Sequence, residues 1–146
     1  MATVHLVVSA LVRRDGRLLL VLQRGPGDPR PTWMLPGGVV EGGETVLDAL
    51  GRELGEETGL ELTASPQLAF AVHVIDDVDA YLALTFACSA SGELAPSDPD
   101  GHVRDAAWVE PSDALERLGQ VGWYDAGPLR RYLAGASGEL AIVDRR

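Results

Sequence analysis

Residues 38–60 read GVVEGGETVLDALGRELGEETGL, and this stretch of the sequence decides the fold. Thr45 is followed three residues later by Asp48. This is the pattern of a capping box, so a helix is predicted to begin near Val46. Gly59 can adopt the left-handed conformation that ends a helix. The sequence therefore predicts one helix, bounded by its own cap residues.

The apolar residues of this helix predict which face is buried. Leu47, Leu50 and Leu54 share one face at 3.6 residues per turn, so we expect that face to pack on the core. Gly51 and Gly55 are unexpected inside a helix, because each lowers its stability by about 1 kcal/mol relative to Ala. A close approach of another backbone would explain both glycines.

Three glutamates crowd the second half of the helix. Glu53 and Glu57 are four residues apart, so their Cβ atoms lie roughly 5–6 Å from each other. Glu56 is one step further round the helix, within ion-pair reach of Arg52. Like charges repel here, and the helix dipole disfavours negative charge in the last turns. A hard divalent cation, which prefers oxygen ligands, would compensate this charge. A solvated acidic face with an Arg52–Glu56 pair is the alternative.

The same stretch resembles the Nudix box, Gly-x5-Glu-x7-Arg-Glu-U-x-Glu-Glu-x-Gly-U, in which U is a bulky aliphatic residue. Every fixed position is filled, by Gly38, Glu44, Arg52, Glu53, Leu54, Glu56, Glu57, Gly59 and Leu60. Nine constrained positions at fixed spacing arise by chance far less often than a lone GxGxxG. The resemblance implies the Nudix α/β/α sandwich, with a mixed β-sheet between helices. The order of strands and helices along the chain is typical of the same class.

The resemblance also implies a chemistry. It is hydrolysis of the pyrophosphate bond of a nucleoside diphosphate linked to another group, with Mg²⁺, or Mn²⁺, as cofactor. The implied protein ligands of the metal are Glu53 and Glu57, Glu56 as a third, and the backbone carbonyl of Gly38. Arg52 is expected to orient the carboxylates, and Glu44 to brace the loop against the helix.

The general base is the least defined role. In many Nudix hydrolases it is a carboxylate in the loop before a strand that carries a tryptophan such as Trp108. That loop contains Asp98 and Asp100 here, and no Glu. Either aspartate is chemically suited to the role, although the same composition is typical of an ordinary turn. Glu56 is the alternative base, and His102 is a weaker candidate because a surface role is the more ordinary interpretation of this histidine.

The sequence predicts the class of reaction more specifically than it predicts the substrate. We expect a (deoxy)nucleoside triphosphate, with ADP-ribose or a dinucleoside polyphosphate as the alternative. ADP-ribose pyrophosphatases often carry a proline downstream of the box, where this chain has Ile75 and Asp76. A non-catalytic nucleotide sensor is a second alternative, but such proteins usually lose box carboxylates and none is lost here. An acidic scaffold without enzymatic activity is the third.

Composition narrows the classes of partner. The 146 residues suit one domain, residues 1–146. A net charge of −10 argues against a nucleic-acid polymer, although bound cations allow a small anionic substrate. All twelve basic residues are arginines. Arg24 and Arg30 precede the box and are expected either to hold phosphate or to be solvated loop residues. The sequence leaves a homodimer open.

The remaining sequence observations concern the cellular compartment and the hydrophobic core. Cys88 is the only cysteine, which excludes an intramolecular disulfide and favours a reducing, cytoplasmic compartment. We expect its thiol to be buried and inert. The apolar run 6–12 is too short to span a bilayer, so no membrane partner is expected. Trp108 is predicted in the core. Trp123 and Tyr124 are expected either to pack or to stack on a base.

Apolar alternation and turn residues predict the other elements. The predicted strands are 4–12, 18–22, 68–75, 80–88, 106–109 and a late edge strand, 140–143. The predicted helices are 111–118 and 128–133. A turn at Asp15-Gly16 joins the first two strands. Residues 25–31 hold two glycines and three prolines and are predicted to form a loop.

Overall fold

The computed structural model describes residues 3–24 and 29–146 of the chain. Its strands are β1 (Thr3–Arg14), β2 (Arg17–Gln23), β3 (Thr32–Met34), β4 (Gly37–Val39), β5 (Glu61–Leu62), β6 (Gln67–Ile75), β7 (Asp79–Cys88), β8 (Ala90–Ser91), β9 (Val103–Val109) and β10 (Glu139–Asp144). Its helices are α1 (Val46–Thr58), α2 (Pro111–Gly119) and α3 (Gly127–Leu133). Residues 25–28 of the predicted loop lie outside the described residues.

The predicted turn between the first two strands is present. Asp15 and Gly16 have φ angles of 52° and 76°, both in the left-handed region. Two consecutive left-handed residues form the type I′ turn, whose twist matches that of a β-hairpin. β1 and β2 therefore pair antiparallel directly across this turn.

The strands form one large mixed sheet, as the sequence predicted. The order of strands across the sheet is β10-β6-β7-β1-β2-β3. In addition, β4 pairs with β1, and β9 pairs with β2. β1 runs parallel to β7, and β10 runs parallel to β6. The other ladders of this sheet are antiparallel. β5 and β8 form a separate two-stranded ladder.

Helices cover both faces of this sheet. In β2, Leu19 packs in the same apolar cluster as α1, whereas Leu18 and Leu20 pack in the cluster that contains α2 and α3. Successive residues of a strand point to opposite faces, so the two clusters lie on opposite sides of the sheet. All three leucines are fully buried. The predicted α/β/α sandwich is confirmed.

Helix α1 begins and ends at the predicted residues. The Thr45 hydroxyl accepts from the amide of Asp48, and the Asp48 side chain accepts from the amide of Thr45. Gly59 has a φ of 80° and donates its amide to the carbonyl of Gly55. The capping box and the left-handed glycine therefore define the helix locally.

Two expectations about α1 are wrong. Leu50 and Leu54 are buried, but Leu47 is 43% exposed. Ala49 and Glu57 are also buried, so the centre of the buried face of α1 lies away from Leu47. The glycines are not sites of close backbone approach. A Cβ on Gly51 or on Gly55 would meet its nearest atom at 3.8 or 3.9 Å, an ordinary contact.

Cys88 and Trp108 lie against the cluster on the α1 side. Burial raises the pKa of the Cys88 thiol to about 11, as expected for an inert side chain. Trp108 is only partly buried, and the Arg14 guanidinium lies 4.6 Å from the centre of its ring. No helix among the described residues is long and apolar enough to cross a bilayer.

Candidate active site

The last turns of α1 lie against the short strand β4. β4 pairs antiparallel with β1, so that Gly37 lies opposite Ser9. The amide of Gly37 donates to Oε2 of Glu57 at 2.9 Å. This hydrogen bond places the Glu57 carboxylate where the helix meets the sheet. Glu57 is only 4% exposed there.

Glu53 lies one helical turn before Glu57 and faces the same strand. Its Oε1 accepts from Nη1 of Arg52 at 3.0 Å. A Cβ built on Gly38 would lie 2.5 Å from Glu53 Oε1, so a larger residue at this position of β4 would displace the Glu53 carboxylate. The Glu53 and Glu57 carboxyls are close enough for each to affect the pKa of the other. The two side chains that the helical spacing predicts as neighbours therefore interact.

The environment of this pair opposes ionisation. Burial raises the pKa of Glu57 to about 9, and the charges of Glu53 and Asp98 add to this effect. The Gly37 amide acts in the opposite direction but is outweighed. Burial also raises the pKa of Glu53, against the lowering effect of Arg52. Without a cation, the two carboxyls retain a proton because neither can be fully solvated.

Arg52 connects the helix to the loop before it. Its Nε and Nη2 donate to the two carboxylate oxygens of Glu44, at 3.0 and 2.7 Å. Glu44 Oε1 also accepts from the amide of Glu41 at 2.8 Å. The hydrogen bond from Arg52 lowers the pKa of Glu44 to about 2. The loop is thus tied to the helix through one bidentate arginine.

The same guanidinium approaches the third glutamate. Nη1 of Arg52 lies 3.4 Å from Oε2 of Glu56, as the i, i+4 spacing predicts. Arg52 is therefore shared among Glu44, Glu53 and Glu56. Because Nη1 contacts both Glu53 and Glu56, the position of either carboxylate depends on the other.

The loop that carries the two candidate aspartates is attached to the end of α1. The amide of Ala95 donates to the carbonyl of Thr58 at 2.8 Å, and the amide of Ser97 donates to the carbonyl of Glu56 at 3.0 Å. Carbonyls in the last turn of a helix have no partner within it. These bonds satisfy two of them and bring Asp98 to the end of the helix that carries the glutamates.

Asp98 organises its own loop. Its carboxylate accepts backbone amides from Asp100, His102 and Val103 at 3.1, 2.8 and 3.0 Å. Its charge also raises the pKa of Glu57. Asp98 therefore lies within electrostatic range of the glutamates, whereas Asp100 and His102 are exposed residues whose amides hold Asp98.

The residues around the glutamate pair fit a divalent cation. The buried carboxyl of Glu57 and the partly buried carboxyl of Glu53, both with raised pKa values, form an oxygen-rich site, and Gly38 leaves its backbone close to Glu53. Within residues 3–24 and 29–146, no three acidic, histidine or cysteine side chains already form a complete ligand cluster. Glu56 contacts Arg52 instead, so it could become a third ligand only by leaving that guanidinium.

A cavity that the sequence did not predict lies on the opposite face of the sheet. It has a volume of about 500 Å³. Its apolar lining includes Val7, Val72, Val74, Ala83 and Val143. Ser9 and Thr85, whose hydroxyls are 3.3 Å apart, form its polar part. Because Ser9 pairs with Gly37, one strand pair connects this cavity to Glu57.

The rim of the cavity contains residues from distant parts of the chain. Trp123 is exposed there, beside Asp76 and Arg145. Nη2 of Arg145 donates to the carbonyl of Trp123 at 3.2 Å. The Tyr124 hydroxyl is buried without a hydrogen-bond partner, and burial raises its pKa. The alternation of residues along the strands indicates that the sheet has a second face. No local pattern in the sequence shows that part of this face is left uncovered.

The two arginines before the box lie against different parts of the chain. Arg30 lines a second depression together with Gln120 and Trp123. The amide of Arg24 donates to the carbonyl of His102 at 2.9 Å, which joins the end of β2 to the loop of Asp98.

Comparisons with known proteins agree with this geometry. A family model described as NUDIX domain matches residues 3–131. The chain is 31% identical to a MutT-like protein of Streptomyces ambofaciens over 115 residues, which cover 79% of this chain and 69% of that protein. It is 28% identical to the phosphatase NudJ of Escherichia coli K12, over 95% of this chain and 90% of that one.

A solved structure shows the same fold. The crystal structure of a MutT NUDIX hydrolase from Burkholderia pseudomallei superposes with a TM-score of 0.67 at 29% identity. The match covers 92% of this chain and 99% of that one.

Proposed function

Because this chain belongs to the Nudix hydrolase family, an enzyme family that acts on small nucleotides, we propose that it hydrolyses the pyrophosphate bond of a (deoxy)nucleoside triphosphate with Mg²⁺ as cofactor. The observation that carries the proposal is the buried Glu57 carboxyl, which lies beside the Gly37 amide and the partly buried Glu53. Such a pair opposes stability unless it binds a cation.

The proposed ligands of the cation are Glu53, Glu57 and the carbonyl of Gly38, joined by Glu56 once it leaves Arg52. When bound, the ion would neutralise charge on the phosphate oxygens and activate a water molecule. Arg52 positions Glu53 through its 3.0 Å hydrogen bond, and Glu44 holds Arg52 in turn. Residues that orient ligands in this way usually affect metal affinity by ten- to a hundredfold.

The cavity is the proposed site of the nucleoside. A volume of about 500 Å³ is within the range of small-molecule sites, and its lining is mostly apolar with two hydroxyl groups. The pairing of Ser9 with Gly37 places the cavity next to the strand that holds Glu57. A nucleoside there would direct its phosphates toward the glutamates, with the exposed ring of Trp123 available for stacking at the rim.

For the general base we propose Asp98. Its charge acts on Glu57, and its loop is bonded to the end of α1. Asp100 remains the second candidate in the loop, and Glu56 the candidate on the helix. In each case the carboxylate would accept a proton from the attacking water.

A substrate panel tests the proposal. Purified enzyme with Mg²⁺ is assayed against deoxynucleoside triphosphates, oxidised deoxynucleoside triphosphates, ADP-ribose and dinucleoside polyphosphates, and the products are identified by chromatography. We expect a nucleoside triphosphate to have the highest kcat/KM and to yield a nucleoside monophosphate and pyrophosphate. Preference for ADP-ribose would contradict the substrate, and nucleotide binding without turnover would contradict the activity.

The role of the cavity has a separate test. Val74→Trp would fill the cavity that Val74 lines, so we expect KM for every nucleotide to rise at least about tenfold. Val78→Trp is the matched control, because Val78 is exposed in the turn between β6 and β7. The stabilisation of both variants by Mg²⁺ should equal that of wild type. An unchanged KM in Val74→Trp would place the nucleoside elsewhere.

A further inference from the structure

Strand β10 forms one end of the large sheet. It pairs with β6 from Glu139 opposite Phe70 to Asp144 opposite Ile75, without any shift of register. In the part of the chain that the structure describes, no strand pairs with its other edge. Alternate residues of a strand direct their backbone groups to opposite edges, so half of the amides and carbonyls of β10 face away from β6.

This edge has none of the features that normally prevent edge pairing. Monomeric proteins protect such strands with proline, inward-pointing charge, a bulge or a very short length. β10 reads ELAIVD, six residues with no proline and no charge between its two ends. Leu140 and Ile142 are 59% and 60% exposed on one face of the strand. A regular apolar edge of this kind favours association with another strand.

The strand is also complementary to itself. Two copies can pair antiparallel about a twofold axis at Ile142, which then lies opposite Ile142 of the second copy. Glu139 is three residues before this centre and Arg145 three residues after it, so each lies opposite the other across the axis. Opposite residues of an antiparallel pair have Cβ atoms within about 5.5 Å, close enough for an ion pair.

The backbone supports this register. The Arg145 amide donates to the carbonyl of Ile75 at 2.8 Å, so the extended pairing with β6 continues to Arg145. Glu139 and Arg145 are six residues apart and therefore point to the same face. A twofold axis at Ala141 would place Glu139 opposite Val143 and leave both charges without a partner across the interface.

We propose that this chain forms a twofold-symmetric dimer in which the β10 strands of two copies pair antiparallel about Ile142. The two sheets then become one continuous sheet, and the exposed apolar side chains of both strands cover each other. Such an interface is isologous, since the same surface is used by both copies. The proposal does not rest on the catalytic activity, because β10 carries no proposed cation ligand and no candidate general base. Its Val143 lines the cavity, but Ile142 at the axis does not.

The association is tested by sedimentation equilibrium over a concentration series. We expect wild type to be dimeric and Ile142→Lys to be monomeric, because two lysines would face each other at the axis. Val78→Lys is the control, since Val78 is an exposed apolar residue outside β10 and should leave the dimer intact. The side chain of Ile142 is exposed, so Ile142→Lys should still fold, and a cooperative thermal unfolding transition of this variant shows that the dimer was lost without loss of the fold. A monomeric wild type, or a dimeric Ile142→Lys, would overturn the proposal.

Charge exchange tests the register. Glu139→Arg and Arg145→Glu should each weaken the dimer, because each puts like charges opposite one another. An equal mixture of the two variants should restore it as a heterodimer with two opposite-charge pairs. Within each chain, the Glu139 carboxylate accepts a hydrogen bond from Arg131, and Arg145 donates one to the carbonyl of Trp123. Mixing the two variants cannot restore these contacts within a chain. Recovery therefore reports only the pairing between chains, and failure to recover overturns this register.

Discussion

Glu57 is almost fully buried, yet the side-chain charges that act on it are those of other carboxylates, Glu53 and Asp98. Its one opposing interaction is the hydrogen bond from the Gly37 amide. A buried group in this environment favours the neutral form, so the folded protein without metal contains an intrinsic source of instability. The proposed role of this residue in cation binding and its effect on stability are therefore opposed.

Glu57→Gln separates the two properties. The change preserves size and hydrogen bonding but removes a charge from the proposed cation site. We expect activity in saturating Mg²⁺ to fall at least about a hundredfold, the upper end for disturbing a metal environment. The free energy of unfolding without metal should stay equal or rise. Glu61→Gln, at an exposed glutamate, is the control and should match wild type in both assays. Activity of Glu57→Gln within threefold of wild type would refute the assignment.

The raised pKa of Glu57 also predicts how stability depends on pH. Between the usual value of 4.5 and about 9, the folded state binds more protons than the unfolded state. The free energy of unfolding without metal should therefore fall as pH rises through this range. The lowered pKa values of Glu44 and Asp144 affect stability only at lower pH.

Denaturant titrations in a metal chelator at several pH values measure this dependence. The decrease with pH should be smaller in Glu57→Gln than in wild type, because glutamine does not titrate. Parallel curves for the two proteins would show that Glu57 ionises normally in the fold.

At the scale of elements, α1 contains two glycines that its geometry does not require. Gly51→Ala and Gly55→Ala should each stabilise the protein by about 1 kcal/mol, because alanine loses less backbone entropy and finds only ordinary contacts. Gly59→Ala is the contrasting variant. Gly59 has a φ of 80°, and a Cβ there would lie 2.8 Å from the Ala95 carbonyl oxygen. Thermal unfolding should show gains for the first two and a loss for the third; a loss for all three would show that α1 needs its interior glycines.

The loop of Asp98 is the second element with a testable role. We expect Asp98→Asn to lower kcat at least about tenfold and to change metal affinity little, since a general base contributes to the chemical step. Asparagine also keeps only one of the two oxygens that accept loop amides, so the melting temperature is measured in parallel. Asp100→Asn is the neighbouring comparison. If Asp98→Asn and Asp100→Asn both retain kcat while Glu56→Gln loses it, the base lies on the helix.

At the scale of the whole molecule, the proposed cation site predicts that metal binding is coupled to folding. A ligand that binds only the folded state stabilises it by RT ln(1 + [L]/Kd), or about 2.7 kcal/mol at a hundred times Kd. Mg²⁺ or Mn²⁺ should therefore raise the melting temperature of wild type, and much less that of a Glu53→Gln, Glu57→Gln double variant. Calorimetry with and without metal measures both shifts, and equal shifts would place the cation at another site.

Much of the fold and of the glutamate cluster could be predicted from the sequence. The limits of α1 depend on Thr45, Asp48 and Gly59, which act on backbone groups within one turn of themselves. The contact between Glu53 and Glu57 follows from helical spacing alone. The Asp15-Gly16 turn is equally local, since two left-handed residues determine the hairpin. These features survive any change in how distant parts of the chain pack.

Tertiary structure decided the features that join residues far apart in the chain. Ser9 and Thr85 meet in the cavity only because β1 runs parallel to β7, and Gly37 reaches Glu57 only because β4 pairs with β1. The burial that raises the pKa of Glu57 is likewise a property of the assembled site. The exposure of Leu47 depends on how far the sheet extends beneath α1. A sequence pattern records which face of an element is apolar, whereas long-range packing determines whether that face is covered, left open or set beside a charge.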